Sequence, residues 1–394
     1  MTGQTTISTV SDLPEQSVKR SFWNTIRGDK GIWVIILLLS LISLAAVYSS
    51  TSSLAFREGK TAFFFLLKQS GFVLIGLSIL YICHRIPLGW YRRFAVLGMW
   101  ASICLLVATL LFGVTINDGT RWLVILGFSF QPAEVAKIAM ILYIAKTIET
   151  KNLAVFKEFA IHLLLPIAVV CLLILWGSVS ACVMLGGTAF IIMVIAGVSA
   201  KHLVKTLGIF VAGVVVVAAL AFWTPWFPRI ETAIERFLTF VKEDNFQAKQ
   251  AKIAIASAGI LGKGPGNSTQ RYILPHPYSD FIYATIVEEY GLVGGIAILL
   301  LFLWFFYRTC RIATQCARVS SILLVIGLGM LIVFQAMLHM GVNVGILPVT
   351  GQTLPLVSLG GTSFVIMSAA FGMILAVSRT IEKEQMVEKM EVAS

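Results

Sequence analysis

The stretch ILPHPYSDFIYATIVEEYG, residues 273–291, begins like a loop and continues as an apolar segment. It contains three carboxylates, Asp280, Glu288 and Glu289, in a chain that has only 19 acidic residues among 394. An ionisable side chain within a membrane-spanning segment is costly, and it indicates a function by default. The stretch therefore raises two questions: whether the chain crosses a membrane, and what the acids do there.

The composition is that of a membrane protein. Hydrophobic residues make up 58% of the chain and charged residues 12%, whereas soluble domains carry about 25% charged residues. The net charge of +11 does not indicate nucleic-acid binding, because the basic residues stand in short clusters between apolar segments, an arrangement that orients membrane proteins. The six cysteines have no paired spacing and predict neither disulfides nor a zinc site.

Ten apolar segments predict an all-α, polytopic fold with ten transmembrane helices, each near the ~20 residues that a span needs. The segments are 31–49, 67–83, 94–113, 133–147, 160–176, 179–197, 205–223, 282–306, 320–340 and 357–378. The predicted organisation is an N-terminal tail (1–30), one membrane domain (31–380) and a C-terminal tail (381–394). A large loop, about 224–281, connects spans seven and eight, and its residues 228–262 follow helical spacing.

The distribution of Lys and Arg predicts the orientation. The set of loops that includes both chain ends holds 18 of these residues. The other set holds 11, but seven of them lie in the long loop, and long loops count little toward orientation. Both termini are therefore expected to be cytoplasmic and the long loop extracytoplasmic.

The acids of the opening stretch have more than one interpretation. Ser279 or Asp280 can cap the following helix; in the case of Asp280 the N–H groups of Ile282 and Tyr283 would donate. Asp280 can instead be a functional acid. Glu288 and Glu289 lie roughly 12 Å farther along a helix that rises 1.5 Å per residue. They either pair with a buried Lys or Arg or serve a function.

A second polar cluster is FSFQPAEVAK, residues 128–137. Pro132 suits the first turn of a helix, which places Glu134 and Lys137 three residues apart on one helix face. In a lipid-embedded helix the two charges are expected to neutralise each other or to face a cavity. Arg121 precedes this segment on the extracytoplasmic side.

The third cluster, residues 340–364, is uncharged but rich in glycine and hydroxyl side chains. It predicts irregular backbone at membrane depth, which is tolerated only where it is buried in protein or lines a water-filled cavity. Gly360 and Gly361 allow close approach of a ligand or of another helix. The three clusters together predict one cavity that opens outward, and both a transporter and an enzyme are compatible with it.

These motifs resemble those of the SEDS family (shape, elongation, division and sporulation), and the resemblance extends from about residue 30 to 380. FSFQPAEVAK is similar to the family's Gln-Pro-Ser-Glu-x-x-Lys stretch, with alanine in place of serine. Residues 254–294 resemble its glycine-rich loop followed by His-Thr-Asp-Phe and a Glu-Glu pair. GILPVTGQTLPLVSLGGTSF, residues 345–364, resembles its last-span signature and is more similar to the division branch than to the elongation branch.

The resemblance implies a peptidoglycan glycosyltransferase of the bacterial cytoplasmic membrane, which polymerises lipid II into glycan strands at the outer face and releases undecaprenyl pyrophosphate. It implies Asp280 as the general base and a class B penicillin-binding protein, among other division proteins, as the partner. Glu288 and Glu289 are expected to brace the cavity against Lys137. The candidate cavity residues, from the patterns and the resemblance together, are Lys137, Glu134, Arg121, Arg271, Gln131, Glu288, Glu289, Ser358, Gly360 and Gly361.

The pyrophosphate needs positive charge, from basic side chains or from a divalent cation such as Mg²⁺ or Mn²⁺. Lys137, Arg121 and Arg271 are the basic candidates, and the sequence does not decide whether a metal is required. A lipid II flippase and a non-catalytic scaffold of the division complex are the alternatives. A flippase is expected to show inverted repeats with sites at the midplane, and the sequence shows no such repeat.

The chain departs from the family pattern beside Asp280. Tyr278 and Ser279 stand where the family often has His-Thr. Ser279 keeps a hydroxyl group, and the sequence leaves open whether His276 takes the place of the family histidine. One arginine of the family pattern is also missing from NDGTRWL, residues 117–123, so the resemblance assigns its role to Arg121 alone.

Overall fold

A computed structural model describes residues 27–116, 119–125, 128–223, 228–242 and 245–393. The predicted N-terminal tail lies almost wholly outside these residues. The described chain is mostly helical. Its helices are α1 (Lys30–Ser50), α2 (Ser52–Arg57), α3 (Ala62–Arg85), α4 (Leu88–Phe112), α5 (Pro132–Thr150), α6 (Phe156–Gly177, with a π turn over Ala160–Leu164), α7 (Val179–Ile195), α8 (Ala200–Trp223), α9 (Pro228–Val241), α10 (Phe246–Ala256), α11 (Ile282–Thr314), α12 (Val319–Asn343) and α13 (Gly361–Ala393).

Each of the ten predicted apolar segments coincides with one of these helices. Within the described residues, seven helices are long and apolar enough to cross a membrane: α1, α3, α4, α6, α11, α12 and α13. Helix α7 is equally apolar but only 17 residues long, and α5 carries a charged pair near its start. The chain is therefore a multi-pass membrane protein, and the count of ten spans stays a prediction.

The chain between α4 and α5 is not helical, which corrects the all-α prediction locally. Three strands, β1 (Val114–Ile116), β2 (Gly119–Ile125) and β3 (Phe128–Phe130), form an antiparallel sheet in the order β1-β2-β3. In its second ladder Leu123 lies opposite Phe130. The strands are rich in β-branched and aromatic residues, which suit a pleated surface, but each is too short to produce a long alternating pattern.

The last helix also differs from its predicted bounds. Residues 357–360, expected in the final span, form a loop, and α13 begins at Gly361. The loop stays irregular because its backbone and side chains bond the turn that precedes α11. At the other end α13 continues as one helix to Ala393, through the predicted C-terminal tail.

Helices α12 and α13 are the most enclosed spans, with 72% and 67% of their apolar windows buried. Helix α13 packs along α3, where glycines allow the backbones to approach closely. A Cβ at Gly76 would lie 2.6 Å from the Phe364 ring, and a Cβ at Gly372 would lie 2.5 Å from the Leu80 carbonyl oxygen. Large apolar side chains on outer helix faces, such as Leu74 on α3, are exposed, as lipid contact requires.

Polar contacts hold the helix ends together at one face of the bundle. Asp29 caps α1 by accepting from the Ile32 N–H at 3.0 Å, and its Oδ1 also accepts from Arg308 Nε on α11 at 3.0 Å. The Gly28 N–H donates to Glu382 Oε2 on α13 at 2.7 Å. The first described residues and the far part of α13 therefore lie at one face, and Asp280 lies at the opposite end of α11.

Candidate active site

Asp280 lies in the turn that leads into α11, and the backbone of that turn is fixed at every peptide. All five carbonyl oxygens from residue 276 to residue 280 accept a hydrogen bond. In chain order, the donors are Asp280 N (3.2 Å), Thr285 Oγ1 (3.3 Å), Leu359 N (2.9 Å), Ser358 Oγ (2.8 Å) and Asn343 Nδ2 (3.2 Å). Helices α11 and α12 and the loop before α13 therefore hold this turn together.

The side chain of Asp280 is left free by this arrangement. The capping interpretation is wrong, because the N-cap position of α11 is Phe281 and no side chain caps the helix. Asp280 stands one residue too early to reach the first free N–H groups. Its half-buried carboxylate makes no hydrogen bond or ion pair with any described residue. A free carboxylate on a rigid backbone has the properties of a positioned proton acceptor.

Two of the candidate cavity residues, Ser358 and Gly361, make structural contacts within the protein. Ser358 is buried, and its Oγ donates to the Ser279 carbonyl while it accepts from Leu354 N at 2.8 Å. A Cβ at Gly361 would lie 2.3 Å from the Phe72 ring of α3, whereas a Cβ at Gly360 meets only ordinary contacts. Close helix approach, one of the two expectations for these glycines, is therefore found at Gly361.

The charges of α5 form a buried ion pair. Pro132 occupies the first turn, as predicted. Lys137 Nζ lies 2.8 Å from Glu134 Oε1, and neither side chain is more than 4% exposed. Lys137 Nζ also donates to Gln335 Oε1 on α12 at 3.2 Å, while Glu134 Oε2 is buried with no hydrogen-bond partner among the described residues. The two charges neutralise each other, as the sequence predicts for a lipid-embedded helix.

A polar stripe on α12 connects this pair with the turn at Asp280. Gln335, His339 and Asn343 follow one another every four residues, and all three are buried. Gln335 Nε2 donates to the Thr353 carbonyl at 3.0 Å, and His339 Nδ1 lies 2.8 Å from the Gln352 carbonyl. This stripe was not identified from the sequence, although polar residues spaced by four within an apolar segment share one face of a helix.

Glu288 does not contact Lys137, so the predicted partner is wrong, and Glu288 pairs with Lys263 instead. Its carboxylate accepts from Lys263 Nζ (2.5 Å), Ser268 Oγ (2.5 Å), and both the hydroxyl and the N–H of Thr269 (2.8 and 3.1 Å). These donors belong to the glycine-rich segment 259–272, which folds back against α11. The Glu288 carboxylate therefore holds this segment against α11 and makes no contact with the Glu134–Lys137 pair.

Glu289 has different partners again. Its carboxylate accepts from Ser49 Oγ at the end of α1, and Arg271 Nη1 lies 4.0 Å away. Arg271 Nη1 also donates to the Ser49 carbonyl at 3.2 Å, and its guanidinium stacks over the Tyr272 ring. Arg271, a candidate for the pyrophosphate, is thus engaged in holding the loop to α1.

A break in α11 explains why the loop can approach so closely. Gly291 has φ 71° and ψ −170°, which interrupts the helical hydrogen bonds. The loop backbone supplies replacements: Lys263 N and Gly264 N donate to the carbonyls of Glu288 and Glu289, at 3.0 and 2.9 Å. In return, the N–H groups of residues 292 and 293 donate to the carbonyls of residues 259 and 260. Non-helical backbone within a span is thereby satisfied by protein.

Replacing Gly262 by alanine is expected to destabilise the protein by about 2 kcal/mol more than replacing Gly259, because the loop must withdraw and lose the bonds of Lys263 and Gly264 at about 1 kcal/mol each. Both glycines have positive φ, 78° and 64°. A Cβ at Gly262 would lie 2.3 Å from the Glu289 carbonyl oxygen, whereas one at Gly259 meets nothing within 4 Å. Unfolding midpoints in detergent measure the difference, and equal midpoints would contradict it.

Two candidates remain to be placed. The backbone of Arg121 lies in β2, and its side chain lies outside the described part of the chain. Gln131 immediately precedes α5 and makes no capping hydrogen bond. It lines a small cleft with Leu106, Thr109 and Ser178. Gln131 is therefore placed at this cleft, without a hydrogen bond to Asp280.

The described residues offer a poor site for a resident divalent cation. No three His, Cys, Asp or Glu side chains come together within the described ranges. A cation such as Mg²⁺ would be held mainly by phosphate oxygens and water, a common coordination for this ion.

The comparisons agree on one family. A family model for cell cycle proteins (FtsW, RodA and SpoVE) matches residues 29–383. A probable peptidoglycan glycosyltransferase FtsW from Thioalkalivibrio sulfidiphilus is 34% identical over 90% of this chain and 91% of the relative. Stage V sporulation protein E of Bacillus subtilis is 32% identical over 88% of this chain and 95% of the relative.

Solved structures share the fold. A chain of a peptidoglycan synthase complex, solved to explain how polymerization and crosslinking are coordinated, matches with a TM-score of 0.72 at 24% identity, covering 90% of this chain and 98% of that one. The rod shape determining protein RodA of Thermus thermophilus matches with a TM-score of 0.67 at 24% identity, over 90% and 98% of the two chains. With the family match over nearly its whole length, the chain belongs to the FtsW/RodA/SpoVE family of cell cycle proteins.

Proposed function

We propose that the protein is a peptidoglycan glycosyltransferase that polymerises lipid II, most similar to the division branch FtsW. Relatives named as such enzymes are 29–34% identical over most of the chain, which supports the activity. The observation that carries the assignment of the base is Asp280, whose carboxylate is free on a turn bonded at all five carbonyls. Asp280 accepts the proton of the acceptor GlcNAc 4-hydroxyl. That oxygen then attacks the anomeric carbon of the growing strand, and undecaprenyl pyrophosphate leaves.

The remaining candidates divide into two roles. Lys137 of the Glu134–Lys137 pair bonds Gln335 at one end of the α12 stripe, and Asn343 at the other end donates to the Asp280 carbonyl, so the pair and the stripe support the turn through α12. Glu288, Glu289 and Arg271 hold the glycine-rich segment 259–272, which leads directly into the turn. Arg121 and, if required, a divalent cation are the proposed sources of positive charge for the leaving pyrophosphate.

The proposal places the protein in the bacterial cytoplasmic membrane with both termini in the cytoplasm and Asp280 at the outer face. The distribution of Lys and Arg supports this orientation. The ten-span topology with the large loop between spans seven and eight belongs to the same proposal. A class B penicillin-binding protein is the proposed partner, because the structural match comes from a complex that polymerises and crosslinks.

A reconstitution separates the polymerase from a flippase. Purified protein with its transpeptidase partner and labelled lipid II is expected to produce glycan polymer, which is resolved by gel electrophoresis. The same protein in vesicles is tested for transfer of labelled lipid II between leaflets. Transfer without any polymer would overturn the proposed function in favour of the flippase, and neither activity would favour the scaffold.

A further inference from the structure

His276 has a backbone conformation that its residue type rarely adopts. Its φ is 55°, in the left-handed region, where a residue other than glycine is uncommon and costs free energy. Its carbonyl accepts from the N–H groups of Ser279 and Asp280, at 3.1 and 3.2 Å, so this conformation starts the turn that holds Asp280. Glycine would fit the backbone without strain, and the imidazole side chain therefore needs its own explanation.

The imidazole of His276 is bonded to the side chain of Tyr278. The ring nitrogen Nδ1 lies 3.1 Å from Tyr278 Oη, and the two rings meet edge to face with centroids 5.9 Å apart. Burial, and then the negative charges of Asp280 and Glu58, raise the pKa of the Tyr278 phenol. The phenol therefore keeps its proton, and the hydrogen bond between Oη and Nδ1 ties the two side chains together.

The pair stands beside the proposed base. Tyr278 and Asp280 are two residues apart on one fixed turn, and the carboxylate acts electrostatically on the phenol. The side chains of His276, Tyr278 and Asp280 are all half-buried, so each keeps some exposed surface. This edge of the turn offers three polar groups, the second ring nitrogen of His276, Tyr278 Oη and the Asp280 carboxylate. Hydroxyl groups of a sugar ring both donate and accept hydrogen bonds, so neighbouring ones can pair with all three.

We propose that His276 and Tyr278 form a saccharide subsite that positions the acceptor sugar against Asp280. The inference rests on the proposed function and deepens it, because it identifies which side chains orient the hydroxyl that loses its proton. Neither residue exchanges a proton with substrate in this scheme. Their contribution is to bind the ring and to hold its hydroxyl in line with the carboxylate. The two residues act as one unit, because the hydrogen bond between them sets the orientation of both rings.

The test uses three single substitutions in the full-length protein with its partner. Tyr278→Phe keeps the ring and removes Oη, while His276→Gly removes the imidazole and suits the positive φ. His276→Asn also tolerates that φ and retains an acceptor near the position of Nδ1. Tyr307→Phe, at an exposed tyrosine near the far end of α11 that makes no hydrogen bond among the described residues, is the matched control. The measurements are kcat and KM for labelled lipid II, lipid II binding in detergent, and the unfolding midpoint.

Tyr278→Phe and His276→Gly are each expected to raise KM and weaken lipid II binding by about 10-fold, the effect of losing one hydrogen bond. The double variant is expected to be no worse than either single one, because the residues act together. His276→Asn should recover part of the loss, and Tyr307→Phe should match wild type. Wild-type KM and binding in both single variants, or independent effects that multiply in the double variant, would overturn the subsite.

The binding measurement separates this inference from the proposed function. If the wild type makes no polymer but the variants still weaken lipid II binding, the subsite stands and the polymerase assignment falls. If the wild type polymerises and the variants bind and polymerise normally, the subsite alone falls. A lower unfolding midpoint with unchanged KM and binding would indicate a purely structural pair and would equally overturn it.

Discussion

Asp280→Asn is expected to lower the rate of glycan polymerisation by about 10²–10⁴-fold, the usual contribution of a general base, while the protein stays folded. An amide cannot take the proton of the acceptor hydroxyl. The substitution is nearly isosteric, and the turn is held through carbonyl oxygens that remain in place. Polymer formation from labelled lipid II gives the rate, and the unfolding midpoint in detergent reports the fold.

The matched control is Glu388→Gln, an isosteric loss of charge at an exposed position of α13 far from the turn. It should polymerise at the wild-type rate. Since no described side chain bonds the Asp280 carboxylate, Asp280→Asn should not lower the unfolding midpoint. Polymerisation by Asp280→Asn at the normal rate would remove Asp280 from the mechanism, whatever its effect on stability.

Lys137→Met is expected to destabilise the protein by about 3–5 kcal/mol, the cost of leaving one member of a buried ion pair without its partner. Glu134 would keep a buried carboxylate with no cation beside it, and Gln335 Oε1 would lose its donor. Because Gln335 also holds the loop through Thr353, polymerisation should fall as well. The unfolding midpoint and the polymerisation rate are the measurements.

Two further variants isolate the charge effect. Lys146→Met removes a lysine from the same helix that makes no ion pair among the described residues, and it should leave the midpoint close to wild type. Combining Glu134→Gln with Lys137→Met removes the unpaired charge and should recover part of the lost stability. A Lys137→Met protein that unfolds at the wild-type midpoint would show that the pair contributes nothing to the fold.

The features that could be predicted from the sequence depend on local chemistry. The apolar segments are contiguous, and the requirement to satisfy every backbone group in lipid leaves them little choice but helix. The start of α5 at Pro132 and the Glu134–Lys137 pair follow from spacing within one helical turn. The short sheet between α4 and α5 escaped prediction because strands of three to seven residues show little periodicity.

The features that could not be predicted from the sequence depend on long-range contacts. The spacing of Glu288 and Glu289 does not identify their hydrogen-bond partners. The Glu288 partner lies about 20 residues earlier in the chain, and the Glu289 partner lies 240 residues earlier. The capping interpretation of Asp280 failed because Phe281 takes the N-cap position and the turn starts at His276. The bonds from Asn343, Ser358 and Leu359 to that turn join segments some 60–80 residues apart.

Hydrophobicity and short motifs are local properties, so the sequence was enough to predict a chain that crosses the membrane repeatedly, a resemblance to one family, and Asp280 as the candidate base. The separate roles of the three carboxylates of residues 273–291 depend on contacts that form only in the folded protein. The Glu288 carboxylate bonds the loop that satisfies the backbone at the Gly291 break, whereas the Glu289 carboxylate accepts from Ser49 of α1 and lies near Arg271. Asp280 stays free because its backbone, and not its side chain, makes the contacts that hold it, and no pattern in the sequence distinguishes these two kinds of bonding.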